Sequence, residues 1–290
     1  MIPAAKLKER IGFYDNLGNI INVLKISTSM QLRHFQAKIP TDKVFLEELK
    51  NSMALINVKN APHPLLIFKP DLPCCIVGIT SDEGFLGELN TLVVNALLDT
   101  RKSLERDQLV ILGERGADYL RDLGLKFKAF KAISDDFKQD EIERLKNYLI
   151  SGYLEDKFGE VVMVYPQFIS VTTYKVKTTR LLPFVFEDSQ GETIPDSLGE
   201  EFLIEPSPVE IVGGLIKLWL SFVLSDIFWS SKLSEFAARL MHLDSSEQRL
   251  KKVNRRLRLE YFRFMHILSD RTIREVSASR FVRKRYEKRS

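Results

Sequence analysis

Along the first forty residues, apolar or semi-apolar side chains recur at Leu7, Ile11, Tyr14, Leu17, Ile21, Leu24, Thr28, Leu32, Phe35 and Ile39, in steps alternating between three and four. That spacing forms one stripe on a long helix; a strand would alternate every second residue. Pro40 interrupts the stripe, and "TDKVFLEELKNSMALI" resumes it, with Thr41 or Asp42 placed to cap a second helical segment. A matching stripe closes the sequence at Leu233, Phe236, Leu240, Leu243, Leu250, Val253, Leu257, Tyr261, Phe264 and Leu268, with Glu247 at the one polar step. No Pro or Gly follows Gly214. A helix from about Pro208 into the 270s would be roughly 90 Å long at about 1.5 Å per residue. A rod of that length cannot bury its stripe on a core this small. It needs a partner helix, and the N-terminal helix carries the matching repeat.

Between the stripes the texture changes. "PCCIVGIT" and "QLVILGE" are apolar runs of strand length, followed by helical segments around Gly87 to Leu104 and Gly116 to Leu123. "KQDEIERLKNYLISGYLEDK" reads as an amphipathic helix, "EVVMVYPQF" as a strand, and "SVTTYKVKTTRLLPF" alternates as an antiparallel strand does. Strands separated by helices predict a mostly parallel sheet with helices covering it. The expected organisation is a helical arm over residues 1–60, an inserted α/β domain over 72–199 and a helical arm with a basic tail over 208–290. "FEDSQGETIPDSLGEE" is the polar loop leading out of the insert.

Composition adds limits. The two cysteines, Cys74 and Cys75, are adjacent inside an apolar run, so neither a disulfide framework nor a thiolate metal site is supported. "MIPAAKLKER" has charge but no apolar stretch behind it, so no secretory leader is expected there and a cytoplasmic location follows. "IVGGLIKLWLSFVLSDIFW", Ile211 to Trp229, is apolar enough to raise a membrane span, yet Lys217 and Asp226 fall inside it. A helix buried on most sides is the better account. The net charge of +4 hides an asymmetry, because Ser245 to Ser290 holds 15 Lys/Arg against 5 Asp/Glu. That segment favours an acidic partner surface, nucleic acid or a solvated helix face.

"ITSDEGFLGELN", Ile79 to Asn90, has the strand, Gly-rich turn and helix with which many phosphate sites begin. A Walker loop and a Gly-x-Gly-x-x-Gly fingerprint are both missing, and Glu83 and Glu88 make the turn acidic, which repels phosphate. "LGERG", Leu112 to Gly116, is explained by a plain tight turn. His34, His63, His242 and His266 lack the pairing of a metal site, and no nucleophile grouping occurs. No catalytic residue, metal or cofactor is expected of this chain itself.

Two long terminal helices around an α/β insert, with these motifs in this order, resemble the gamma subunit of F-type ATP synthases. The family turn reads Ile-Thr/Ser-Ser/Thr-Asp-Arg-Gly-Leu-Cys-Gly-Gly-Leu-Asn, and Ile79, Thr80, Ser81, Asp82, Gly84, Gly87, Leu89 and Asn90 fit it. Its Ser-Glu-x-Ala-Ala-Arg-Met is met at Ser234, Glu235, Ala237, Ala238 and Arg239, with Leu240 replacing Met. Lys6, Lys8, Ile11, Asn16 and Ile20 remain of its N-terminal motifs, with Leu24 in a Met position, and "LIEPSP" is similar to its Tyr-Glu-Pro-Asp/Ser-Pro. The resemblance covers essentially the whole chain.

It implies an antiparallel coiled coil of the terminal helices with an inserted Rossmann-like α/β domain. The coiled coil would turn inside a ring of α and β subunits, and the insert would dock the ε subunit and touch the membrane c-ring. The chain would then be peripheral, at the cytoplasmic face of the membrane, and bind no nucleotide directly. The seam candidates are Leu7, Ile11, Leu17, Ile21, Leu24, Leu240, Leu250, Val253, Leu257 and Phe264. Asp82, Gly84, Gly87 and Asn90 make the strand-turn motif, where the two glycines would let the backbone turn. Lys25, Arg33, Glu83, Arg239, Arg255, Arg256, Arg263, Met265 and His266 are candidate ring contacts. Three of those positions differ from the family. Its Arg, a contact for an acidic β-subunit segment, is Glu83 here, turning attraction into repulsion. Its Asn-x-x-Arg-Gln cluster falls on Phe262 to His266, so Met265 and His266 replace the Arg-Gln of a catch to a β subunit. Its small Gly/Ala-rich terminus is replaced by "SASRFVRKRYEKRS". Two further readings stand beside this one: a scaffold of the same descent that no longer turns, and a basic coiled coil that binds nucleic acid through Arg280 to Arg289.

Overall fold

Strand β1, Cys74–Ile79, is buried at every position and lies in the middle of a five-stranded sheet of order β3-β2-β1-β4-β5. The others are β2, Gln108–Leu112, β3, Lys128–Phe130, β4, Glu160–Ser170, and β5, Thr173–Leu182. β1 pairs in parallel with β2 and β4, β2 in parallel with β3, and β5 runs antiparallel to β4. These coordinates are a computed structural model describing residues 4–37, 48–49, 63–103, 106–135, 138–184 and 207–287. They divide into one unit of Gln31–Arg239 and another of Met1–Met30 with Leu240–Ser290.

The "CCIVGI" run is apolar throughout because both faces of β1 are covered, as a central parallel strand requires. Alternate side chains go to opposite faces. Cys74 and Ile76 pack with Val93, Val94 and Leu97 of helix α2, Leu89–Asp99, and with Ala117 and Leu120 of α3, Glu114–Asp122. Cys75, Val77 and Ile79 face the other way, into a cluster with Leu145 and Leu149 of α4, Gln139–Leu154. Burial pushes the Cys74 thiol up to about 12 and the Cys75 thiol higher still, which leaves both as inert core residues.

Helix α5, Pro208–Glu287, is 80 residues long. In the Gln31–Arg239 unit its Val212, Ile216, Leu220, Leu224 and Ile227 are buried in that same cluster, at helical spacing. Each full burial of this kind stabilises by about 1.5–3 kcal/mol. This stretch is long and apolar enough to cross a membrane. Here its apolar face packs on the sheet, while Lys217 and Asp226 stand exposed.

The other unit contains most of helix α1, Ala4–Ala37, and the remainder of α5. Lys25 pairs with Asp244 and, at 2.9 Å, with Glu247. A Cβ at Gly18 would stand 3.1 Å from Leu250. Asp15 accepts from Asn254 at 2.6 Å and Arg258 at 2.8 Å. As numbers rise along α1 they fall along α5, so the two helices run antiparallel.

Several boundaries differ from the sequence reading. α2 stops at Asp99, and β3, too short and too exposed to leave a pattern, was not anticipated. The cap at Thr41 or Asp42 and the polar loop from Phe186 lie outside the described residues; of the segment after Pro40, Glu48 and Leu49 are described and are helical.

Candidate functional site

Two strand-to-helix joints meet where β1 and β2 end. Thr80 donates its N–H to Leu112 O at 2.8 Å and its hydroxyl to the same oxygen at 2.7 Å. Its Oγ1 accepts from Gly116 N at 3.2 Å, and Ser81 O accepts from Arg115 N at 3.0 Å. α3 begins after Gly113, which has no side chain to cap it. Asp82 supplies the acceptor from the neighbouring joint, taking Glu114 N at 2.8 Å. Asn90 closes the first joint, accepting from Ser81 N at 3.2 Å and donating to Ser81 Oγ at 3.0 Å.

"LGERG" is therefore more than a plain turn. A Cβ on Gly113, at φ +100°, would stand 2.5 Å from Thr80 O, and one on Gly116 would stand 2.4 Å from Thr80 Oγ1. The Gly-rich turn is also corrected in one detail: Gly87 has a positive φ of 59°, but the other left-handed residue is Phe85, at 65°, and not Gly84. Phe85 is 61% exposed. The cleft beside Thr80 and Ser81 has room for about one water, far too little for a nucleotide.

"SEFAARL" fastens α5 to this end of the sheet. Ser234 Oγ donates to Pro166 O at 3.2 Å, and Phe168 N donates to Ser230 Oγ at 2.9 Å, which ties α5 to β4. A row of charges follows. Lys232 reaches Asp135 at 2.8 Å and Glu235 at 3.0 Å; Arg239 reaches Glu235 at 2.7 Å and Glu83 at 2.9 Å. Lys232, Glu235 and Arg239 are buried and lie on one helix face at i, i+3 and i+7. Burial pulls the Lys232 pKa down, but Glu235 and Asp135 outweigh it and the value ends raised. The ammonium therefore stays charged at neutral pH.

Arg239 and Glu83, both candidate ring contacts, are bonded to each other within the chain, Arg239 almost wholly buried. The turn folds back onto α5, so Glu83 has an attractive partner there. Lys25 is likewise engaged by Asp244 and Glu247, which raise its pKa against a smaller opposing effect of burial. Arg33, Arg255, Arg256, Arg263, Met265 and His266 stand exposed.

Of the seam candidates, Leu7 is buried, and Ile11, Leu17, Ile21, Leu240, Leu250, Leu257 and Phe264 are half-buried. Leu24 and Val253, 40% and 42% exposed, lie off it. A stripe counted in mixed steps of three and four drifts around a helix, and polar cross-links such as Lys25 to Glu247 take the adjacent positions. The sequence reading missed Lys232, Asp135 and Ser230. Lys232 carried a usable signal, standing three residues before Glu235 on the same helix face. Asp135 carried none, since its partner is 97 positions away.

The family model described as ATP synthase matches residues 4–264. The chain is 25% identical to the ATP synthase gamma chain of Halothermothrix orenii over 276 residues, 93% of this chain and 95% of that one. It is 25% identical to that of Chlorobium phaeobacteroides over 274 residues, 91% and 92% of the two chains. Among solved structures it is similar in fold to a chain of the Euglena gracilis mitochondrial ATP synthase (OSCP, F1 and c-ring, rotational state 3), with TM-score 0.68, 14% identity and coverage of 95% and 93%. A chain of the Tetrahymena thermophila mitochondrial ATP synthase central stalk and c-ring matches with TM-score 0.57, 16% identity and coverage of 78% and 99%.

Proposed function

This chain belongs to the gamma-subunit family of the F-type ATP synthases, and we propose that it works as the central rotor stalk of such an enzyme. The observation that carries the reading is the family match across both helices and the α/β unit alike. A packed pair of antiparallel helices resists twisting because its backbone hydrogen bonds are internal and its seam interlocks. Such a rod converts turning of the membrane c-ring into successive changes at the catalytic sites of the surrounding α and β subunits. The α/β unit is the part that meets the ε subunit and the c-ring. In this reading its work is mechanical. As part of a membrane-associated complex it would be peripheral, at the cytoplasmic face.

The exposed basic residues Arg255, Arg256 and Arg263 suit acidic segments of the ring subunits. One observation favours a second reading, a scaffold that binds the ring without turning: Met265 and His266 stand where the resemblance looks for a hydrogen-bonding Arg-Gln pair. Both readings meet one experiment. The chain is co-expressed with the α and β subunits of its own source, the complex is weighed, and rotation of a bead fixed to the α/β unit is followed under ATP. The stalk reading predicts one copy per three α/β pairs and stepwise rotation. A bound but motionless chain favours the scaffold, and a monomer that ignores the ring sinks both.

A further inference from the structure

Besides the Ser230 and Ser234 hydrogen bonds to β4, two kinds of contact hold α5 to the α/β unit. Apolar burial at Val212 to Phe228 is strong but non-directional, so it tolerates small slips of the helix along or about its axis. The charge row is directional. From Asp135 through Lys232, Glu235 and Arg239 to Glu83, acidic and basic groups alternate without a break. Its two end carboxylates come from separate loops, Asp135 from the one between β3 and α4 and Glu83 from the β1–α2 turn. They grip α5 at positions seven residues apart, roughly 10 Å along the axis at about 1.5 Å per residue. A slip by one residue in either direction would break both grips together. Gln31 of α1 also donates to Asp135, at 3.3 Å.

We propose that this five-residue ion ladder is the joint through which turning force passes between α5 and the α/β unit, with Glu83 as the positioning residue that closes it. The inference rests on the stalk reading above. Buried ion pairs often add little net stability, and in some proteins they set register. Glu83 supplies the rung easiest to remove, since its side chain is 69% exposed and its attraction is partly screened. Losing it leaves Arg239 bonded to Glu235 and frees the β1–α2 turn from α5. The Asp82 cap on α3 and the Ser81–Asn90 bonds remain, so the turn keeps its own shape and loses its anchor.

The test uses the whole enzyme in sealed vesicles with this chain as its only stalk, and measures ions pumped per ATP hydrolysed for wild type, Glu83→Gln, Glu83→Lys and Glu83→Asp. Pumping per ATP should fall in the order Asp, Gln, Lys, because Lys at this position repels Arg239. Hydrogen exchange on the full-length chain should show the Leu89 amide, bonded to Leu86 O across the turn, exchanging about tenfold faster in Glu83→Gln, the equivalent of about 1.4 kcal/mol. Faster exchange with unchanged pumping per ATP in Glu83→Lys would reduce Glu83 to a local brace and overturn the joint. Unchanged exchange would remove the latch itself. If wild type fails to assemble with the ring, the stalk reading falls and the joint with it, while the exchange result still reports whether Glu83 holds the turn.

Discussion

Helix α5 is treated in two ways along its length. From Val212 to Arg239 the chain covers it with its own sheet and loops, and even Lys232, Glu235 and Arg239 are buried and paired. From Leu259 to Val276 it leaves Phe262, 58% exposed, together with Ile267, Leu268, Ile273 and Val276 open to solvent. A monomer seldom exposes so many large apolar side chains on one element. The first segment has a sequence shaped by this chain's own core; the second has one shaped by something outside it.

The contrast is easiest to break by truncation. Phe228→Ala, in the covered segment, should cost about 3–5 kcal/mol of unfolding free energy in denaturant, followed by circular dichroism. Phe262→Ala, in the open segment, should change the free chain by no more than about 0.5 kcal/mol yet weaken its capture by the α and β subunits. Next comes Gly113→Ala. With a positive φ and Thr80 O only 2.5 Å from the new methyl, it should destabilise by about 1–3 kcal/mol, whereas Gly124→Ala, also at positive φ but with open space around it, should cost less. Asp82→Ala removes the cap that α3 cannot supply for itself and should cost about 1 kcal/mol, with faster hydrogen exchange in the first turn of α3.

The smallest effect is expected from acid. His63 Nδ1 accepts from Leu65 N at 3.2 Å, and its Nε2 lies 2.6 Å from where a Cβ on Gly213 would stand. Burial, helped by Lys217, lowers its pKa below the usual 6.5. The unfolded chain therefore takes up the proton more readily, so this residue's contribution is intact above pH about 6.5 and is lost as pH falls from there towards the folded value. Unfolding midpoints at pH 7.5 and 5.5 should differ less for His63→Asn than for wild type.

The sequence was legible wherever burial was one-sided or total. The α1 and α5 stripes, the β1 run and the alternation of β5 each follow one periodicity over many residues, and the motif order was enough to name the family. What could not be read was pairing across distance. Lys232 to Asp135 and Arg239 to Glu83 leave no local pattern, and the seam at Leu24 and Val253 failed because small departures from a regular repeat add up along a long helix. The internal partner of Glu83 was missed for a related reason: its charge was weighed only against an outside partner, while an opposite charge lies on α5 of the same chain.

The open segment of α5 is built for partners and the covered one is not. Hydrogen–deuterium exchange with residue-level cleavage, run on the full chain alone and bound to the α and β subunits of its source, tests it directly. Strong added protection is expected across residues 259–276 on binding and almost none across 212–228. Equal exchange in the two states at 259–276, in a complex shown to have formed, would contradict it.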